Sequence, residues 1–151
     1  MKKIKIIERD MTDVEFSQMN EGFQDYELLH IGVNQSSNRF GFVILDGSKF
    51  VGCSSGLAYK NGEKYNNWYQ LTDLFIEKEY RGQGLGKKVL TKLEEKLISL
   101  GIHNIWTWTA GYEAPDFYKK QGYKVFCELE KYYLTGHSRV GMLKFLESKE
   151  L

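Results

Sequence analysis

Leu71-Thr72-Asp73-Leu74-Phe75-Ile76 leads into Tyr80-Arg81-Gly82-Gln83-Gly84-Leu85-Gly86-Lys87-Lys88, and the rest of the chain takes its arrangement from this junction. The first stretch is apolar and strand-like. After the second, Leu85, Val89, Leu93 and Leu97 recur every fourth residue, with Leu90 and Leu100 on the same flank, the pattern of an amphipathic helix. A strand ends, three glycines turn the chain, and a helix starts. Glycine lets the backbone approach a ligand closely, and the first turn of a helix offers unpaired N–H groups at the positive end of its dipole. Such a place suits a phosphate. Lys87 and Lys88 add positive charge where the dipole alone disfavours it, so a bound anion would rationalise them.

The glycine spacing excludes two phosphate sites. A P-loop needs glycine five positions before the Gly-Lys pair; Arg81 stands there, and Lys88 replaces the Ser or Thr that holds magnesium. The dinucleotide pattern G-x-G-x-x-G fails in both registers, ending on Lys87 in one and Val89 in the other. What remains, Arg81-x-x-Gly84-x-Gly86, resembles the coenzyme A pyrophosphate loop of the GCN5-related N-acetyltransferases, the GNAT superfamily. The plainer alternative is a tight strand–helix turn without a ligand.

Composition narrows the class. A chain of 151 residues that is 42% hydrophobic reads as one globular domain spanning 1–151. A formal net charge of +1 makes no case for nucleic acid or an anionic membrane as partner. Cys53 and Cys127 are too few for a disulfide framework or a cysteine-built metal site, so reduced thiols and a cytoplasmic location are expected. No apolar run approaches the ~20 residues of a membrane span, and Met1-Lys2-Lys3-Ile4 leads into charged sequence rather than a signal-peptide core.

Along the chain, Lys3 to Glu8 alternates like a first strand, and Thr12 to about His30 is helical, with Gly22 making two short helices as good a reading as one. Gln35 to Asn38 reads as a loop. Arg39–Leu45 and Lys49–Tyr59 flank Asp46-Gly47, a hairpin signal, and Asn61-Gly62 repeats it before the strand from Trp68 to Ile76. The helix from about Gln83 ends at Gly101. Ile102–Thr109 is a strand, Ala114–Gln121 a short helix opened by Pro115 and closed by Gly122, and Tyr123–Glu130 and Arg139–Leu146 are final strands. One helical crossover makes the strands ending at Ile76 and starting at Ile102 parallel neighbours.

A second motif strengthens the resemblance. Ala114-Pro115-Asp116-Phe117-Tyr118-Lys119-Lys120-Gln121-Gly122-Tyr123 is similar to the superfamily's A-x-x-F-Y-x-x-x-G-[FY] segment and follows the loop in the right order. The likeness is strongest from Leu71 to Val125. It implies an α/β GNAT fold: a mixed, mostly antiparallel sheet whose parallel central pair splays around an acyl-coenzyme A site, flanked by helices.

It also implies transfer of an acetyl group from acetyl-coenzyme A, as co-substrate and without a metal, to an amine of a small molecule or peptide. The pyrophosphate would lie on N–H groups of Gly82, Gln83, Gly84, Leu85, Gly86 and Lys87, beside Arg81. The pantetheine arm would pair like a strand with Leu74, Phe75 and Ile76. Tyr118 matches the tyrosine that protonates the leaving thiolate; alternatively Phe117 and Tyr118 only fasten the helix to the sheet. A carboxylate within a core strand tends to be paired or functional, so Asp73 is a candidate general base, with local pairing or an ordered water as the alternatives. His30, His103 and His137 show no metal spacing, though the turn at His137 can approach an acceptor. Tyr112 and Tyr132-Tyr133 suit an aromatic wall for the acceptor or a homodimer contact. The rival classes are a non-catalytic acyl-coenzyme A sensor or interaction module of the same fold, and an unrelated nucleotide-binding α/β protein.

Overall fold

The computed structural model of the chain describes residues 3–112 and 114–147. It divides into two compact units, Met1–Asn34 and Gln35–Leu151.

The first unit contains α1, Asp13–Ile31, a single helix that runs through Gly22 and stops at Gly32 in the left-handed conformation. Thr12 and Glu15 form a reciprocal capping box at its start, and Arg9 pairs with Glu15 at 2.7 Å. The strand expected over Lys3–Glu8 does not form. Ile4 and Ile6 are 90% and 100% exposed, and no strand pairs with the segment among the described residues. Alternation makes a strip with two faces, but a strand also needs a ladder partner for its N–H and C=O groups. Met1 and Lys2 lie outside the described residues.

The second unit is a six-stranded sheet in the order β1-β2-β3-β4-β6-β5. Its strands are β1 (Ser36–Asp46), β2 (Lys49–Asn61), β3 (Lys64–Ile76), β4 (Asn104–Ala110), β5 (Lys124–Leu129) and β6 (Arg139–Phe145). Two helices belong to it, α2 (Leu85–Ser99) and α3 (Pro115–Lys120). Both hairpins of the β1–β3 meander close with two-residue loops whose first residue is glycine at positive φ: Gly47 at 62° and Gly62 at 66°. That placement satisfies the turn geometry which matches strand twist. Gln35–Asn38 is not a free loop: β1 already begins at Ser36, opposite Lys60, because cross-strand pairing overrides the turn preference of Ser36-Ser37-Asn38.

β3 and β4 form the sheet's parallel pair, joined through α2, and all other pairings are antiparallel. The fold is therefore the mixed α/β arrangement anticipated above. Val89, Leu90, Leu93 and Leu97 of α2 are buried, and the three leucines share one core cluster on a face of the sheet with Ala58, Tyr69, Leu71, Ile105, Val140 and Met142. Ser54 Oγ donates to the Val89 carbonyl at 2.9 Å, tying β2 to the helix. A polar pin joins α2 to the other half of the sheet. Glu94 accepts from Tyr123 Oη and Lys144 Nζ, both at 2.8 Å, and burial followed by the Glu94 charge pushes the Tyr123 phenol far up.

Candidate functional site

The parallel ladder is short. It runs from Trp68↔Asn104 to Leu71↔Thr107 and stops, although β3 continues to Ile76 and β4 to Ala110. Two features part the strands. On the β2 side, Ser55 faces Asp73 while the next residue, Gly56, faces Leu71, so Thr72 is an extra residue that bends β3. On the other side, β4 stays committed to β6 along its whole length, to Ala110↔Arg139. At the apex, Thr107 Oγ1 donates to the Leu71 carbonyl at 2.9 Å, in a buried position. Past it, the edges of β3 and β4 that face each other have no partner in the ladder, and such groups need one.

The glycine loop follows the open end of β3. Lys78–Tyr80 makes one 3-10 turn, and Arg81 folds back so that its Nε donates to the Ile76 carbonyl at 2.9 Å. Gly82 and Gly84 are both left-handed, at φ 77° and 78°, a conformation costly for any residue with a Cβ, and a Cβ on either would meet nothing within 4 Å. Gly84 is the N-cap of α2, with no side-chain cap and no acid in the first turn. The first helical backbone bond is Lys88 N–H to the Gly84 carbonyl, so the preceding donors of Leu85, Gly86 and Lys87 point out of the helix end without a partner in it. The loop thus combines unpaired donors, open space and the lysines.

Leu74 and Ile76 turn toward the packed face, whereas Asp73 and Phe75 turn to the opposite one, where they are exposed. Asp73 does not stand alone: Arg39, two strands away on β1, forms an ion pair with its Oδ2, and Thr72 Oγ1 donates to the same oxygen at 2.7 Å. The Thr72 bond and then Arg39 lower its pKa, and an acidified carboxylate is a weaker base. Both bonds fall on Oδ2, leaving Oδ1 without a partner among the described residues. Tyr118 is 6% exposed within the core cluster that also holds Leu71 and Leu90, its ring edge-on to Phe117 at 5.4 Å and Tyr123 at 5.3 Å. Tyr118 and Asp73 therefore belong to opposite faces of the sheet, flanking the parting strands.

A family model described as the acetyltransferase (GNAT) family matches residues 6–123. The chain belongs to that family. It is accordingly an acyl-coenzyme A-dependent N-acetyltransferase. Solved acetyltransferases share its fold. One from Bacillus cereus ATCC 14579 aligns at TM-score 0.78 and 23% identity, over 94% of this chain and 98% of that one. An aminoglycoside 6'-N-acetyltransferase complexed with coenzyme A aligns at TM-score 0.62 and 18% identity, over 75% and 76%. The ribosomal-protein-S18-alanine N-acetyltransferase from Escherichia coli aligns at TM-score 0.59 and 18% identity, over 75% and 74%. No curated protein sequence matches this acetyltransferase.

Three contacts around the parting strands carry no signature in the sequence: Arg39 with Asp73, the Thr107 hydroxyl with the Leu71 carbonyl, and Arg139 with Trp108 and Tyr132. Each brings together residues from different strands more than 30 positions apart, with Tyr132 added from the loop before β6, so no local pattern announces it. A groove of about 710 Å³ lined by Ser37–Phe42, Tyr65, Lys96 and Leu100 lies at the β1 edge and the carboxyl end of α2, away from the glycine loop. Among the described residues no cluster of three or more His, Cys, Asp or Glu side chains could hold a metal ion, and no helix is long and apolar enough to cross a membrane.

Proposed function

We propose that the 151 residues form one cytoplasmic acetyltransferase domain that moves an acetyl group from acetyl-coenzyme A to a primary amine of a small molecule or peptide, by direct attack in a ternary complex. The observation that carries this reading is the parting of β3 and β4 after Leu71↔Thr107, with the uncapped end of α2 one loop further on. Acetyl-coenzyme A supplies the thioester: the amine nitrogen bonds to its carbonyl carbon, the C–S bond breaks, the amine gives up a proton and the departing thiolate gains one.

The chain's residues fit that substrate. The N–H groups from Gly82 to Lys87 hold the pyrophosphate, with Lys87 and Lys88 adding charge. The free edge of Leu74, Phe75 and Ile76 pairs with the amide-bearing arm, and an N–H near Leu74 or Phe75 polarises the thioester carbonyl. Tyr118 gives the thiolate its proton. The α2 face is filled by the core, so the acceptor enters from the face of Asp73. There Asp73 Oδ1 receives the amine; because Thr72 and Arg39 keep the carboxylate acidic, water takes the proton away. Free Cys53 and Cys127 suit a reducing compartment.

The test combines binding with turnover. Acetyl-coenzyme A at ~100 times its dissociation constant should stabilise the protein by roughly 2.7 kcal/mol, seen as a raised melting temperature, while ATP, lacking the arm, should do far less. Free thiol should appear only when an amine is added. An ATP shift equal to that of the coenzyme would overturn the reading.

A further inference from the structure

We propose that Arg139 is the recognition point for an anionic group on the acceptor, so that the substrates are amines carrying a carboxylate or a phosphate. The proposal deepens, and rests on, the acetyl-transfer reading above.

Arg139 opens β6 and pairs with Ala110, the last residue of β4. Its guanidinium carbon lies 5.1 Å from the Trp108 ring and 5.2 Å from the Tyr132 ring, and Nη1 donates to Tyr132 Oη at 3.0 Å. A guanidinium carries five N–H donors, and this bond uses one. Among the described residues no carboxylate lies within ion-pair distance; the ion pairs there are Arg9–Glu15, Arg39–Asp73 and Lys144–Glu94. Rings hold its plane, so the remaining donors form a planar, half-buried fork, the geometry that binds carboxylate or phosphate through two parallel bonds.

The surroundings keep this fork rigid. Gly141 faces Trp108 across the β4–β6 ladder; a Cβ there would come within 2.7 Å of Phe126 Cζ and 3.0 Å of Trp108 Cζ3, so glycine is what leaves room for the Trp108 ring. Tyr132 packs on Tyr133, Tyr133 on Tyr112, and Tyr112 on His137, with ring centroids 5.0, 5.6 and 5.1 Å apart. The Gly111 N–H donates to the Ser138 carbonyl at 2.8 Å and joins the two loops that carry these rings.

Position links the fork to the chemistry. Ala110 is the third residue past the apex on β4, and on β3, where Thr72 is the extra residue, Phe75 opposite Cys53 is three ladder steps past Leu71 opposite Gly56, each roughly 10 Å along its strand. Arg139 therefore stands level with the place proposed for the thioester, across the opening. By strand alternation Trp108 and Arg139 share the face of Asp73, away from α2. An acceptor with its amine at Asp73 Oδ1 and an anion at Arg139 would bridge the opening with the amine on the β3 side.

The test is steady-state acetylation of matched acceptors: amino acids against their carboxamides, and phosphoethanolamine against ethanolamine. At least one anionic acceptor should exceed its neutral counterpart about tenfold in kcat/KM. Arg139→Gln should shrink that ratio about tenfold, to near one, the low end of the scale of a hydrogen-bonded charge. Arg139→Lys, which keeps the charge but loses the fork, should fall between, and it decides alone if Arg139→Gln does not fold. Preference confined to the carboxylate pairs assigns amino acids or peptide carboxyl groups, and preference confined to the phosphate pair assigns phosphorylated amines. Absence of any anionic preference, or an equal loss on both members of a pair in the variants, overturns the proposal. Calorimetric titration with coenzyme A separates the two readings: with coenzyme binding intact only the role of Arg139 falls, and without it the acetyl-transfer reading falls as well.

Discussion

At the amino end of α1 the backbone donors are closed off by the chain's own side chains, whereas at the amino end of α2 they are left open. Thr12 accepts from Glu15 N–H, Glu15 accepts from Thr12 N–H at 2.8 Å, and Asp13 and Glu15 put negative charge on the dipole. α2 has Gly84 in place of the threonine, no acid in the first turn, Lys87 where α1 has Glu15, and Lys88 next to it. Glycine in place of Ser, Thr, Asp or Asn at a helix start typically costs roughly a few tenths of a kcal/mol, so α2 forgoes stability of that order at its end. A helix start can thus serve the fold or serve a ligand, and two or three residues decide which.

The largest effect should come from giving α2 the anion it lacks. Gly86→Glu places a carboxylate among the open donors, and the added Cβ meets Phe117 only at ordinary contact, 3.5 Å. Coenzyme A binding should be abolished in a calorimetric titration while the circular dichroism spectrum stays that of the folded protein. Undiminished affinity would make the two helix ends equivalent and remove the phosphate role of α2.

Next in size, Tyr118→Phe separates coenzyme binding at the loop from the chemistry. The ring keeps its packing against Phe117 and Tyr123. Coenzyme affinity should hold, and turnover should fall about 10²–10⁴-fold, the usual contribution of a positioned acid. Turnover within about twofold of the parent would make the hydroxyl a structural bystander and water the better acid.

The smallest effect belongs to α1. Its partner Arg9, then Thr12, hold the Glu15 carboxyl at about 2, well below its ordinary value of 4.5. A depressed pKa stabilises the folded form above the unfolded value, so the box should be fully effective above about pH 4.5 and lost as pH falls through about 2. Far-ultraviolet dichroism of the protein and of Glu15→Gln should therefore differ at neutral pH and converge near pH 2; a constant difference would mean the charge of Glu15 does not matter to the helix.

Much of this was legible locally. The Asp46-Gly47 and Asn61-Gly62 turns, the α2 stripe and the alternation of Ile105 and Thr107 against Trp106 and Trp108 all depend on residues a few positions apart, and the structure carries each of them. Lys3–Glu8 misled because alternation records which side chains could share a face, not whether a ladder partner exists. Asp73 left two readings open because its partner is Arg39, on a strand the sequence order places two hairpins back. The bend at Thr72 was invisible for a related reason: an extra residue shows only when both strands are seen in register. Arg139 reads as an ordinary strand residue until Trp108 and Tyr132 are brought against it.

The short seam between β3 and β4 also has a mechanical meaning. Two three-stranded plates, β1-β2-β3 and β4-β6-β5, meet along only the pairs from Trp68↔Asn104 to Leu71↔Thr107. Side chains rivet the seam at both ends: Asn67 accepts the His103 N–H and its carbonyl accepts Asn104 Nδ2, both at 2.9 Å, and the Thr107 hydroxyl holds Leu71. Plates joined so narrowly twist about their seam more readily than about any full-length ladder, which makes it the compliant axis of the sheet. A molecule bridging the far edges would act as a brace, stiffening the whole sheet from its widest point, and amide exchange along Thr72–Ile76 would register that stiffening before the riveted pairs did.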